Sequence, residues 1–92
     1  MIITSLQNNA IKNIVKLGKN RERQQQGLFV IEGARELSLA LRANYTIESV
    51  YVCRELFETT KYPDVLDALP NNIVFDITHE VFSKIVYREN SD

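Results

Sequence analysis

The sequence has few of the residues that carry chemistry or cross-links. Its single cysteine, Cys53, and single histidine, His79, supply neither a disulfide framework nor a set of metal ligands. A lone cysteine is typical of a reducing compartment, so we expect a cytoplasmic location. No apolar run approaches the roughly 18–20 residues that a membrane span requires, and the N-terminus has no signal-peptide core.

Glycine is also scarce, and its positions exclude two common nucleotide-binding motifs. Gly18, Gly27 and Gly33 fit neither the P-loop nor the dinucleotide-binding spacing. His79 is expected to be exposed in the first turn of a helix, so no nucleophile–base set can be assembled around it. Cys53 ends a predicted strand and is expected to be a buried structural residue. We therefore expect the 92-residue chain alone to have no catalytic residue, cofactor or metal.

The formal net charge of −1 conceals an uneven distribution of charge along the chain. Residues 1–27 carry five basic residues against one glutamate, a net charge of +4, whereas residues 28–92 carry a net charge of −5. A basic segment on a mildly acidic body predicts an anionic partner that meets one end of the molecule. On charge alone, a solubilising surface helix is an equal alternative.

The basic segment has the apolar spacing of a helix, which Ser5 or Asn8 could cap. On one continuous helix, four cations would share a face: Lys12, Lys16, Lys19 and Arg23. Gly18 weakens such a helix by about 1 kcal/mol relative to alanine. Two helices with a break near Gly18 and Asn20 are therefore a second possibility, and residues 20–27 are expected to be exposed.

The densest apolar run, LFVI at residues 28–31, stands between two glycines and predicts a strand buried on both faces. From Ala34 the apolar spacing becomes helical. Further strands and helices alternate after it, which predicts an α/β fold with a mainly parallel sheet. The predicted strands are residues 28–32, 50–53 and 73–76. The predicted core residues are Phe29, Ile31, Leu37, Leu41, Val50, Val52, Val74 and Phe75.

The turn at residues 32–36, EGARE, lies between the first of these strands and its helix. Ligands of α/β proteins bind at such edges, where free amides and the helix dipole favour phosphate. Arg35 adds a planar cation that can grip phosphate or stack on a base. The alternative is that Arg35 pairs with a carboxylate such as Glu32 and that Gly33 only turns the chain.

Several segments, taken in order, resemble the start of SpoU/TrmH-type RNA 2′-O-ribose methyltransferases. They are ITSLQN at 3–8, IK at 11–12, VKL at 15–17, GLFVIEGARE at 27–36, ITHEVF at 77–82 and YREN at 87–90. The resemblance implies an N-terminal substrate-binding domain, a small three-layer α/β/α sandwich similar to ribosomal proteins that bind kink-turn RNA. The RNA contacts it implies, together with the charge pattern, are Lys12, Lys16, Lys19, Arg21, Arg23, Glu32, Gly33 and Arg35.

The same resemblance implies that this chain is one domain of a longer parent protein, with binding and catalysis in separate domains. Residues 1–27 would form a basic helical arm packed on the domain, residues 28–86 the substrate-binding core, and residues 87–92 the start of a linker. Catalysis, S-adenosylmethionine binding and homodimerisation would belong to a separate domain, and the RNA would be rRNA or tRNA. The main alternative is a protein-interaction or dimerisation domain without direct RNA contact. A free-standing α/β enzyme is a more remote one.

Overall fold

The computed structural model describes residues 2–57 and 62–90, except for the side chains of residues 63 and 87–90. Strands and helices alternate along most of this length. The strands are β1 (Ile2–Ile3), β2 (Val50–Val52) and β3 (Val74–Ile77). The α-helices are α1 (Asn9–Lys16), α2 (Asn20–Gln26), α3 (Ala34–Arg42), α4 (Arg54–Phe57) and α5 (His79–Asn90), and two 3-10 helices span Pro63–Ala68 and Asn71–Ile73.

The sheet is centred on β3, which pairs in parallel with both other strands in the order β1-β3-β2. Ile2 lies opposite Asp76 on one side, and Val50 lies opposite Val74 on the other. Parallel strands need crossover connections, and the helices between these strands provide them. The α/β fold class with a parallel sheet, predicted from the sequence, is therefore confirmed.

The core lies where α1 and α5 pack against the sheet. Ile11 of α1 is 0% exposed and Val81 of α5 is 1% exposed. They form one cluster with Ile3, Ile77 and Cys53, which is buried as the sequence predicted. Partly buried side chains surround this cluster: Leu6, Ile14, Tyr51, Phe75, Phe82 and Ile85. The N-terminal strand and helix therefore contribute directly to the core.

The strand predicted at residues 28–32 is wrong: this segment has no regular secondary structure. Gly27 and Gly33 at its two ends have φ angles of 68° and 103°, so the chain turns at both ends of the run. Phe29 is 56% exposed and rests edge-on against Tyr45, with ring centroids 5.9 Å apart. The outer strand paired with β3 is instead β1, which the sequence analysis did not predict.

Most of the predicted core residues are only partly buried. Of its eight members only Val52 is buried, Phe29 is exposed, and the other six are partly buried. The core centres instead on β1, α1 and α5, because these elements pack directly on β3.

The helix cap predicted at Ser5 or Asn8 is confirmed at Asn8, and so is the predicted exposure of His79. Asn8 caps α1, its Oδ1 accepting from the amides of Ala10 at 2.8 Å and Ile11 at 3.4 Å. Thr78 caps α5 by accepting from the amide of Val81 at 3.2 Å, and His79 is exposed in the first turn. Across the described residues, no helix combines the length and apolar character needed to cross a membrane.

Two substitutions test where the core lies. Ile11→Ala should lower the free energy of unfolding by about 2–5 kcal/mol, because Ile11 is fully buried. Phe29→Ala should lower it by only about 1 kcal/mol, because an exposed ring loses little beyond its contact with Tyr45. Urea denaturation of both variants gives the comparison. A larger loss for Phe29→Ala would place the core around residues 28–31 after all.

Candidate nucleic-acid interface

The basic segment forms two helices, not one. Helix α1 ends at Lys16 and α2 begins at Asn20, with Gly18 in the connection. This is the second of the two arrangements that the sequence allowed. Lys12 and Lys16 remain one turn apart on α1, while Lys19 stands at the N-cap of α2.

Four of the predicted RNA-binding cations are available at the surface. The side chains of Lys12, Lys16, Lys19 and Arg21 are exposed. Within the described part of the chain, none of the four makes a hydrogen bond or ion pair with another side chain. We call these four cations the basic face: Lys12 and Lys16 on α1, Lys19 in the connection, and Arg21 on α2.

Arg23, a fifth predicted RNA contact, makes a hydrogen bond within the protein. Its Nη1 donates to the carbonyl oxygen of Leu17 at 2.9 Å. Leu17 is the C-cap of α1, where carbonyl groups lack helical partners and the dipole favours a cation. Arg23 is only half exposed, so its first role is to join α2 to the end of α1.

A pair of side-chain amides makes a second connection between these helices. Asn13 Nδ2 donates to Gln26 Oε1 at 3.0 Å, and Gln26 Nε2 donates back to Asn13 Oδ1 at 2.9 Å. Gln26 Nε2 also lies 3.2 Å from Glu22 Oε1. Sequence reasoning missed this pair. The available signal was an asparagine at a position of α1 that faces the same side as its apolar residues.

The turn at residues 32–36 is exposed except at the partly buried Ala34, with Gly33 at the N-cap of α3 and no side chain capping the helix. Arg35 pairs with a carboxylate, but the partner is Glu36 at 3.3 Å and not Glu32. The two side chains are 69% and 52% exposed, and such surface pairs contribute little. Arg35 therefore remains accessible to an anion.

A groove of about 610 Å³ separates the predicted contacts into two areas. Its walls include residues 27–34, residues 45–53, side chains of α4 and α5, and one side of α1 with Ala10, Asn13, Ile14 and Leu17. Glu32 and Gly33 line the groove, whereas none of the predicted cations does. Helical geometry places Lys12 and Lys16 on the opposite side of α1, so the basic face and the groove are distinct surfaces.

The α/β fold and its basic face together define a small binding domain. Residues 8–92 match the model of one family, described as the MRM3-like substrate binding domain. The chain belongs to this family of substrate-binding domains of RNA methyltransferases. At that level the resemblance seen in the sequence is confirmed. No curated protein and no solved structure matches the chain.

Two neighbouring arginines of α2 should behave differently when truncated. Arg23→Ala removes the hydrogen bond to Leu17 and should lower the free energy of unfolding by about 1–2 kcal/mol. Arg21→Ala removes an exposed side chain and should change it by less than about 0.5 kcal/mol. Thermal denaturation at fixed pH and salt measures both. Equal stability of the two variants would show that Arg23 does not join the helices.

Proposed function

We propose that this chain is the RNA substrate-binding domain of an S-adenosylmethionine-dependent RNA 2′-O-ribose methyltransferase of the SpoU/TrmH type, acting on rRNA or tRNA. The observation that carries the proposal is the family match over residues 8–92. The basic face supports it, because four exposed cations without side-chain partners in the described structure can neutralise phosphates.

The domain's task in this proposal is to hold RNA for a catalytic domain elsewhere in a longer protein. Tethering raises the local concentration of RNA at the catalytic domain without adding contacts there. S-adenosylmethionine would bind in that other domain. The homodimer interface and the cytoplasmic setting belong to the same proposal, as does the start of a linker at residues 87–92, of which residues 87–90 continue α5.

Binding would use two kinds of contact. Lysine and arginine on the basic face contact phosphate and fix the position of the RNA without reading its sequence. Arg35 stands near the start of α3, where backbone amides lack helical partners, and its fork can accept phosphate in two hydrogen bonds. Glu32 and Glu48 line the groove, so their charges oppose entry of phosphate there.

A protein-interaction domain is the second candidate, and the groove is the observation that favours it. Phe29 and Tyr45 line the groove and are 56% and 52% exposed. Exposed aromatic side chains are enriched in protein interfaces. Concentration-dependent association of the chain without RNA binding would favour this candidate. Salt-dependent RNA binding by the monomer would favour the first.

Replacing Lys12, Lys16 and Lys19 with alanine tests the basic face. Each phosphate contact contributes a slope of roughly 0.7 to the plot of log affinity against log salt on single strands. The triple variant should therefore bind RNA more weakly, and its slope should be flatter by about 2 units if all three lysines contact phosphate. RNA titrations over a salt series measure both quantities.

A matched control removes exposed cations from outside the basic face. The double variant Arg42→Ala/Lys84→Ala changes α3 and α5 and should keep nearly the wild-type slope. If the triple variant binds as tightly as the wild type with an unchanged slope, the basic face is only a solvated surface. The RNA proposal would then lose its physical support.

Arg35→Lys tests the turn separately from the basic face. Lysine keeps the positive charge but loses the planar fork that grips phosphate in two hydrogen bonds. The variant should bind RNA more weakly while the salt slope stays almost unchanged. The same salt series measures this, and wild-type affinity in the Arg35→Lys protein would exclude a bidentate contact.

A further inference from the structure

Helix α2 has no apolar anchor. None of its seven residues is buried, and its sequence, NRERQQQ, contains no apolar side chain. A helix this short and polar is marginal in water by itself. Its position against the rest of the protein therefore depends on polar contacts.

Helices α1 and α2 meet in a corner at Gly18. Two polar contacts hold α2 in place against α1, one near this corner and one at the far end of α2. Near the connection, Arg23 of α2 donates to the carbonyl oxygen of Leu17 at 2.9 Å. At the far end, Asn13 and Gln26 exchange two hydrogen bonds of 3.0 and 2.9 Å across 13 residues of sequence. The bond from Gln26 to Glu22, one turn earlier on α2, orients the Gln26 amide toward Asn13.

We propose that the Asn13–Gln26 amide pair is a positioning pair, which holds α2 against α1 and fixes the spacing between their phosphate-binding cations. This inference rests on the proposed RNA-binding function. Lys12 and Lys16 stand on α1, which is anchored in the core by Ile11, whereas Arg21 stands on α2. Without the pair, the contact of Arg23 with Leu17 would alone hold α2 against α1, and Arg21 would be less firmly fixed relative to the two lysines.

The benefit of fixed spacing depends on the RNA. A folded RNA presents its phosphates at set distances, so cations already held at matching distances bind it without first being ordered. A flexible single strand adjusts its phosphates to the protein in either case. The positioning pair should therefore increase affinity for folded RNA and have little effect on unstructured RNA.

The test compares Asn13→Ala and Gln26→Ala with the wild type on two RNAs of equal length, a stable hairpin and an unstructured oligonucleotide. Affinity of each variant for the hairpin should fall about threefold to tenfold. Without the amide pair, α2 is held against α1 in a smaller fraction of the molecules. Affinity for the unstructured RNA should change by less than about twofold. Salt slopes on both RNAs should stay at wild-type values, since no cation is removed.

Two further variants separate positioning from general stability. Gln25→Ala removes an exposed glutamine of α2 that has no side-chain hydrogen bond among the described contacts, and it should bind both RNAs like the wild type. The exchanged pair Asn13→Gln/Gln26→Asn keeps both amides and the combined side-chain length, and should restore hairpin affinity to within about twofold. Denaturation midpoints are compared so that every titration uses folded protein.

The outcomes distinguish this inference from the proposed function. If the wild type binds RNA with a salt slope but the alanine variants bind the hairpin equally well, the positioning role is overturned and RNA binding stands. Equal losses on the hairpin and the unstructured RNA would also overturn it. If the wild type binds neither RNA at low salt, the proposed function itself fails.

Discussion

The structure depends on the parallel pairing of β3 with a strand on each side. Pairing through both edges satisfies the backbone groups of β3 and places Ile77 in the core. Thr78 then starts α5 directly after the strand, which brings Val81 to the same cluster as Ile11 of α1. Because Ile11 and the two lysines of α1 share one helix, the burial that holds the domain together also fixes the basic face on its surface.

Elements whose signal is local were predictable from the sequence. Strands β2 and β3 are short apolar runs close to the predicted bounds, and Asn8 and Thr78 cap helices through contacts within three residues. Strand pairing is not a local property. Residues 28–31 have the composition of a strand but no partner in the sheet, whereas β1 is only two residues long and has no periodicity to recognise.

The candidate site shows the same difference between local features, which the sequence predicts, and contacts between distant residues, which it does not. The exposure of Lys12, Lys16, Lys19 and Arg21 followed from their charge, because such side chains are almost never buried without a partner. The contact of Arg23 with Leu17, and the amide pair of Asn13 and Gln26, join residues of different helices. Helical periodicity gives the face on which a polar side chain lies but not the residue that it meets across the corner.

The negative net charge of residues 28–92 contrasts with the positive charge of the basic face. Residues 28–92 carry a net charge of −5, so an RNA held by the +4 segment, as proposed, would be repelled by the net charge of the rest of the domain. At physiological salt this repulsion acts over about 8 Å, which is short compared with a domain whose extents are 32 × 29 × 26 Å. In the proposed complex, RNA on α1 and α2 would be disfavoured from entering the groove, which is lined by Glu32 and Glu48. Attraction by the basic face and repulsion beside it would together favour binding of the RNA on one side of the domain.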